Sequence, residues 1–126
     1  MDFYFWFRME VKAMKINKYN ALKLWNEYFG NCMFAEDFHG NLMCRDGYGD
    51  LDFFCYRFGK KIYCGWNIHH ILPVACGGTN AKANLICTNI ATNYEADDKT
   101  TYWIDDCLYQ VQRIDSTKKY GIFKIN

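Results

Sequence analysis

No Cys-x-x-Cys pair occurs among the seven cysteines of this 126-residue chain (32, 44, 55, 64, 76, 87 and 107), so the usual zinc-knuckle spacing is missing. Nor does a secretion signal precede them. The aromatic run Met1 to Phe7 carries Asp2 where a signal peptide wants Lys or Arg, and Arg8 and Glu10 end it far short of a membrane-spanning length. An oxidised disulfide framework therefore has no support. The cysteines read as buried thiols in a reducing cytoplasm, with a structural zinc protein as the minor competing reading. Internal repeats, linkers and low-complexity segments are also lacking, as is any helix-turn-helix, zinc finger or basic arm that would read base edges. Acidic residues are missing from one stretch: between Phe53 and Tyr94 there is no Asp or Glu, while Arg57, Lys60, Lys61 and Lys82 supply positive charge. Acids return as Glu95, Asp97, Asp98, Asp105 and Asp106. With a formal net charge of only +1, this local imbalance is what would suit a phosphate backbone.

What is abundant is core material. Hydrophobic residues make up 51% and aromatics 19%, which excludes a disordered chain and leaves room for one domain. Met14 precedes a cleaner start at Lys15, so residues 1–14 read as an N-terminal extension and 15–126 as the domain. Asn17 to Phe29 predicts a helix. Ala21, Leu22, Trp25, Tyr28 and Phe29 recur at three- and four-residue spacing, Asn17 or Asn20 can cap the start, and Gly30 can end it. Cys32 to Phe38 and Leu42 to Arg45 flank a turn at His39-Gly40-Asn41, and Asp46 to Gly49 is a second turn. Phe53 to Phe58 and Lys61 to Ile68 form a hairpin about Gly59-Lys60.

Leu72 to Ala83 holds Pro73, Gly77, Gly78 and Asn80 and must be a loop. Asn84 to Cys87 is a short strand at best, and Thr88 can cap a helix running to about Asp98. Alternation in Tyr102–Ile104, Leu108–Ile114 and Tyr120–Ile125 predicts strands joined at Ser116 to Lys119. The expectation is one α+β domain.

The chemistry gathers at Trp66-Asn67-Ile68-His69-His70-Ile71-Leu72-Pro73. Gly77-Gly78-Thr79-Asn80, Asn84-Leu85 and Thr92-Asn93 follow. One histidine of such a pair can hold a metal while its neighbour takes a proton from water, which is what phosphodiester hydrolysis needs. In identity and spacing this constellation, from Trp66 to about Lys99, resembles the HNH (His-Asn-His) endonuclease family. Weaker likeness lies in the helix ending Leu24-Trp25 and in Ala35-x-Asp37-Phe38-x-Gly40, which is similar to small single-domain bacterial or phage-borne members.

The resemblance implies a ββα-metal (His-Me finger) core at about 62–99, with an N-terminal helix and additional antiparallel hairpins around it. It implies a metal-dependent endonuclease acting on DNA, with RNA the lesser substrate, in the cytoplasm of a bacterial or phage-infected cell and with no membrane role. Position by position, His70 matches the general base and Asn84 the asparagine that ties the loop and keeps the base oriented. His69 and Asn93 match the two protein ligands of one divalent ion. An oxygen-rich site suits Mg²⁺; an imidazole at 69, where the family commonly has Asp, also admits Mn²⁺, Ni²⁺ or Zn²⁺. Lys99, Lys82, Lys60 and Lys61 are the cations placed to meet phosphate. A homodimer or a protein partner would supply specificity.

Two positions depart from the pattern. Related proteins often carry Lys three residues after the last Asn and Gly after that, where this chain has Ala96 and Asp97. Asp97 and Asp98 would cost affinity for a polyanion unless they point away, or they would help hold metal. The alternative function is a catalytically weak or inactive module on the same scaffold that binds DNA or a protein partner.

Overall fold

The N-terminal helix begins where local capping chemistry places it. In the computed structural model, which describes residues 13–114 and 116–126, α1 (Lys18–Phe29) starts at Asn17, whose side chain accepts from the Asn20 backbone N–H at 2.9 Å. It stops at Gly30, whose φ of 61° costs a glycine little. One face of α1 buries Ala21, Leu24 and Trp25. The Trp25 ring meets Trp66 at 4.9 Å and Phe29 at 4.8 Å, and its indole N–H donates to the Cys32 carbonyl.

The remaining described residues build small antiparallel sheets, giving a mixed α+β structure with two α-helices among the described residues. β1 (Phe34–Glu36) pairs with β2 (Leu42–Cys44), and β3 (Phe54–Arg57) pairs with β4 (Lys60–Tyr63). β5 (Trp66–His70) pairs with β6 (Leu85–Asn89), which leads directly into α2 (Ile90–Ala96). β7 (Thr101–Ile104), β8 (Cys107–Arg113) and β9 (Tyr120–Lys124) close the chain as a three-stranded meander.

The β5–β6 hairpin separates two cores. Trp66, Ile68, Leu85 and Cys87 pack with α1 and Met43, whereas Ala96, Tyr102, Ile104 and Tyr109 form a second cluster beyond α2. Burying each of Leu24, Met43 and Leu85 contributes roughly 1.5–3 kcal/mol.

Three sequence expectations change. The strand read as Lys61 to Ile68 is two strands in two sheets, broken at Cys64-Gly65. A side chain at Gly65 would collide with the Asp50 carbonyl and the Tyr63 ring, so the chain turns there by a close backbone approach that only glycine allows. The helix cap is Asn89, not Thr88. Thr88 pairs with Asn67 inside the sheet, while the Asn89 side chain accepts from the Ala91 N–H at 2.9 Å; the helix ends at Ala96 rather than Asp98. The thiols are all free, as expected, but Cys32 and Cys76 are exposed; only Cys44, Cys64 and Cys87 are fully buried.

The proposed N-terminal extension falls mostly on residues 1–12, outside the described residues. Ala13 and Met14, however, belong to the fold. Ala13 bridges Ala81, the Met14 N–H donates to the Asn80 carbonyl, and the Met14 side chain packs on the first core. Among the described residues, no helix is long and apolar enough to cross a membrane.

Candidate functional site

Strand alternation sorts the residues of β5. Asn67 and His69, two positions apart, share the face over which α2 lies, while Trp66 and Ile68 point to the α1 core. Asn93, one turn beyond the Asn89 cap, reaches both residues of that face. Its Nδ2 donates to Asn67 Oδ1 at 2.8 Å, leaving its Oδ1 toward His69 Nδ1 at 2.6 Å. His69 is 4% exposed and flanked by the Phe38 ring, and its Nε2 is buried without a partner. Burial holds its pKa below the ordinary imidazole value. The neighbouring His70 adds to the lowering, while the Asn93 contact and Asp37 pull the other way. Because the Asn93 amide oxygen only accepts, Nδ1 carries the proton of the neutral His69 ring, and the lone pair lies on the buried Nε2.

His70 ends the strand at the rim. Its Nε2 lies 2.6 Å from Asn80 Oδ1, and since an amide oxygen only accepts, the imidazole is the donor there and Nδ1 carries the lone pair. Asn84 fastens the chain just after it: Oδ1 accepts from the Leu72 N–H at 2.9 Å, and Nδ2 donates to the carbonyls of Leu72 and Thr79. The Ile71 N–H donates to the Asn84 carbonyl, completing a four-bond clamp across the loop mouth. Asn80 is itself steadied by the Met14 N–H on its carbonyl.

His69, His70 and Asn93 line one open cleft of about 430 Å³ with Asn67, Tyr94, Asp97 and Asp98. The structure therefore brings together both histidines and Asn93, with Asn84 behind them as the clamp. It does not bring the four predicted lysines there. Lys82 is ion-paired with Glu27, Lys61 lies 4.5 Å from the Phe54 ring centre, Lys60 shares that hairpin, and Lys99 follows the helix without lining the cleft. Ala96 is fully buried in the second core, where a lysine would not fit. Both acids, by contrast, sit on the cleft wall.

Three contributors escape a reading by motif. Asn67 could have been found from its period-two relation to His69, and Asn80 from its place in the glycine-containing loop opposite His70. Tyr94, 82% exposed at the cleft, carries no distinctive spacing. Asn80→Ala should leave the fold intact but free the His70 ring to rotate. If His70 is the base, the expected result is a roughly 10- to 100-fold lower catalytic rate with little change in melting temperature; an unchanged rate would remove Asn80 from the site.

His69 Nδ1 and Asn93 Oδ1 meet at the cleft as a hydrogen bond, so they could hold a divalent ion together only once the His69 proton has moved to Nε2 and that bond has opened. Among the described residues no group of three or more His, Cys, Asp or Glu side chains is placed to hold a metal ion. No protein-family model, curated protein or solved structure matches the chain.

Proposed function

We propose that this chain is a metal-dependent endonuclease of the HNH type, hydrolysing phosphodiester bonds in DNA, with β5, the following loop, β6 and α2 as its ββα-metal core. The observation that carries the reading is that His69, His70 and Asn93 line one cleft, with the ring of His69 oriented by Asn93 and that of His70 by Asn80. Two histidines and two asparagines with separate, compatible tasks are more than a pair of structural histidines requires.

His70 acts as general base. With Nε2–H donated to Asn80, Nδ1 accepts the proton of a water as its oxygen attacks phosphorus. The bond from phosphorus to the 3′ oxygen breaks, and that oxygen leaves as an alkoxide that solvent protonates. Asn84 keeps the strand end fixed relative to the loop, and Asn67 holds the Asn93 amide with its oxygen toward His69. A divalent ion, Mg²⁺ foremost and Mn²⁺, Ni²⁺ or Zn²⁺ as alternatives, would be held by Asn93 and by His69 with its proton shifted to Nε2, and would supply Lewis-acid stabilisation of charge on the phosphoryl and leaving oxygens.

The test is a plasmid cleavage assay across these four metals, with wild type beside His70→Ala and Asn93→Ala. Asn93→Ala removes one ligand and leaves Asn67 Oδ1 without its donor, so the metal concentration for half-maximal activity should rise by about 10- to 100-fold. An unchanged metal requirement would exclude Asn93 as a ligand.

A second reading, a binding module on this scaffold with little or no turnover, is favoured by Asp97 and Asp98 on the cleft wall. DNA or partner binding without cleavage under all four metals would establish it instead.

A further inference from the structure

A polyanion needs cations, and among the described residues the lining of the histidine cleft includes Asp97 and Asp98 but no lysine or arginine. The loop after β5, however, has two sides. Pro73, Val74 and Ala75 face the histidine cleft, while Leu72, Gly77, Thr79 and Asn84 face a second, larger groove of about 750 Å³. The opposite wall of that groove is the tip of the β8–β9 hairpin, which contributes Arg113, Thr117, Lys118 and Lys119. No acidic side chain lines it among the described residues.

Hydrogen bonds tie together the described residues of the tip. The Arg113 Nε–H donates to the Thr117 carbonyl at 2.7 Å, the Thr117 hydroxyl caps the Ile114 carbonyl, and the Lys119 N–H donates to the Thr117 hydroxyl. These bonds occupy one guanidinium N–H, and among the described residues no acidic side chain pairs with Arg113, Lys118 or Lys119.

We infer that this groove binds the DNA backbone beside the scissile bond, with Arg113, Lys118 and Lys119 contacting phosphates on the far side of the loop from the histidines. The inference rests on the nuclease reading for the placement of the scissile bond. Its own support is the shared loop wall and, among the described residues, the single sign of charge in the groove and the lack of cations in the histidine cleft. Lys60, Lys61, Lys82 and Lys99, the cations chosen from sequence, lie outside both linings. Arg113, Lys118 and Lys119 escaped notice because they follow the motif by some twenty residues or more and join it only through the meander.

The experiment is fluorescence-anisotropy binding of a duplex of about 20 base pairs in chelator, so that nothing is cut, between roughly 50 and 200 mM salt. Wild type is compared with Arg113→Gln/Lys118→Gln/Lys119→Gln and with a Lys60→Gln/Lys61→Gln control. Each lost phosphate contact removes about 0.9 from the slope of log affinity against log salt, so the triple variant should lose roughly 2 to 3 and bind on the order of 10-fold or more weaker at low salt. The control should behave as wild type. Because Arg113 also braces the hairpin tip, Lys118→Gln/Lys119→Gln serves as a second variant, with an expected slope loss of about 2 and an unchanged melting temperature.

A slope unchanged in both variants overturns the proposal, as does a wild type with no salt-dependent binding. The two readings fail separately. Loss of slope with no cleavage under any metal keeps the groove and removes the nuclease. Normal cleavage with unchanged slopes keeps the nuclease and removes the groove.

Discussion

Plasmid cleavage by His70→Ala is expected to fall about 100- to 10,000-fold below wild type at saturating metal, the range that a positioned general base contributes. The loss should appear in the rate and not in the metal requirement, because His70 does not share the Asn93 contact that orients His69. Structural damage should be small. His70 is half-buried at the end of β5, and the chain beyond it is held through Asn84, whose bonds run to backbone atoms of Ile71, Leu72 and Thr79. A melting temperature close to wild type would therefore accompany the loss of activity. Cleavage at the wild-type rate by a rigorously purified variant would end the proposed mechanism, whatever the metal. Paired with Asn93→Ala, the experiment separates proton transfer from metal binding: one variant alters the maximal rate, the other the concentration of ion needed to approach it.

The largest effect on stability is expected at Asp37, a residue outside the cleft. Its carboxylate is 8% exposed and accepts three backbone N–H groups: His39 at 3.0 Å and Asn41 at 2.9 Å on Oδ1, and Asn89 at 3.0 Å on Oδ2. The first two bonds shape the β1–β2 turn, and the third pins that turn to the junction of β6 and α2. Asp37→Ala leaves all three donors without their acceptor, one of them in the protein interior. We expect a loss of about 3–5 kcal/mol in unfolding free energy, a large share of what a domain of this size possesses. Urea unfolding followed by tryptophan fluorescence measures it, and a loss below about 1 kcal/mol would show that the three bonds are replaced by water at little cost. The same change should impair cleavage, because the Asn89 junction sets where α2 begins and hence where Asn93 points.

Asp37 also shows why some roles were visible in the sequence and others were not. As part of a turn before His39-Gly40-Asn41 it is a local feature, legible from residue type. Its bond to Asn89 spans 52 positions, and nothing in either neighbourhood announces it. The same division runs through the candidate site. His69, His70, Asn84 and Asn93 were legible because their residue types at that spacing form a pattern. Asn80 was quoted within that pattern without a task, and only the folded loop turns its amide oxygen toward His70. The cations show the converse. Lys82 is close to the motif in sequence, yet its partner is Glu27 on α1. Arg113, Lys118 and Lys119 are distant, yet they share a wall with the loop.

By itself, the sequence determined the span of α1, its Asn17 cap and Gly30 stop, the turns, the order of strand, loop, strand and helix around the histidines, and the meander that follows. Each of these depends on side-chain periodicity or on hydrogen bonds among residues a few positions apart. Only the tertiary structure decided that the chain changes sheets at Gly65, that Asn89 rather than Thr88 starts α2, and that position 96 belongs to a core. It alone also decided which lysines and arginines face a groove. These outcomes depend on contacts between segments tens of residues apart, where packing volume and unpaired backbone groups, not local preference, choose among conformations that the sequence leaves nearly equal.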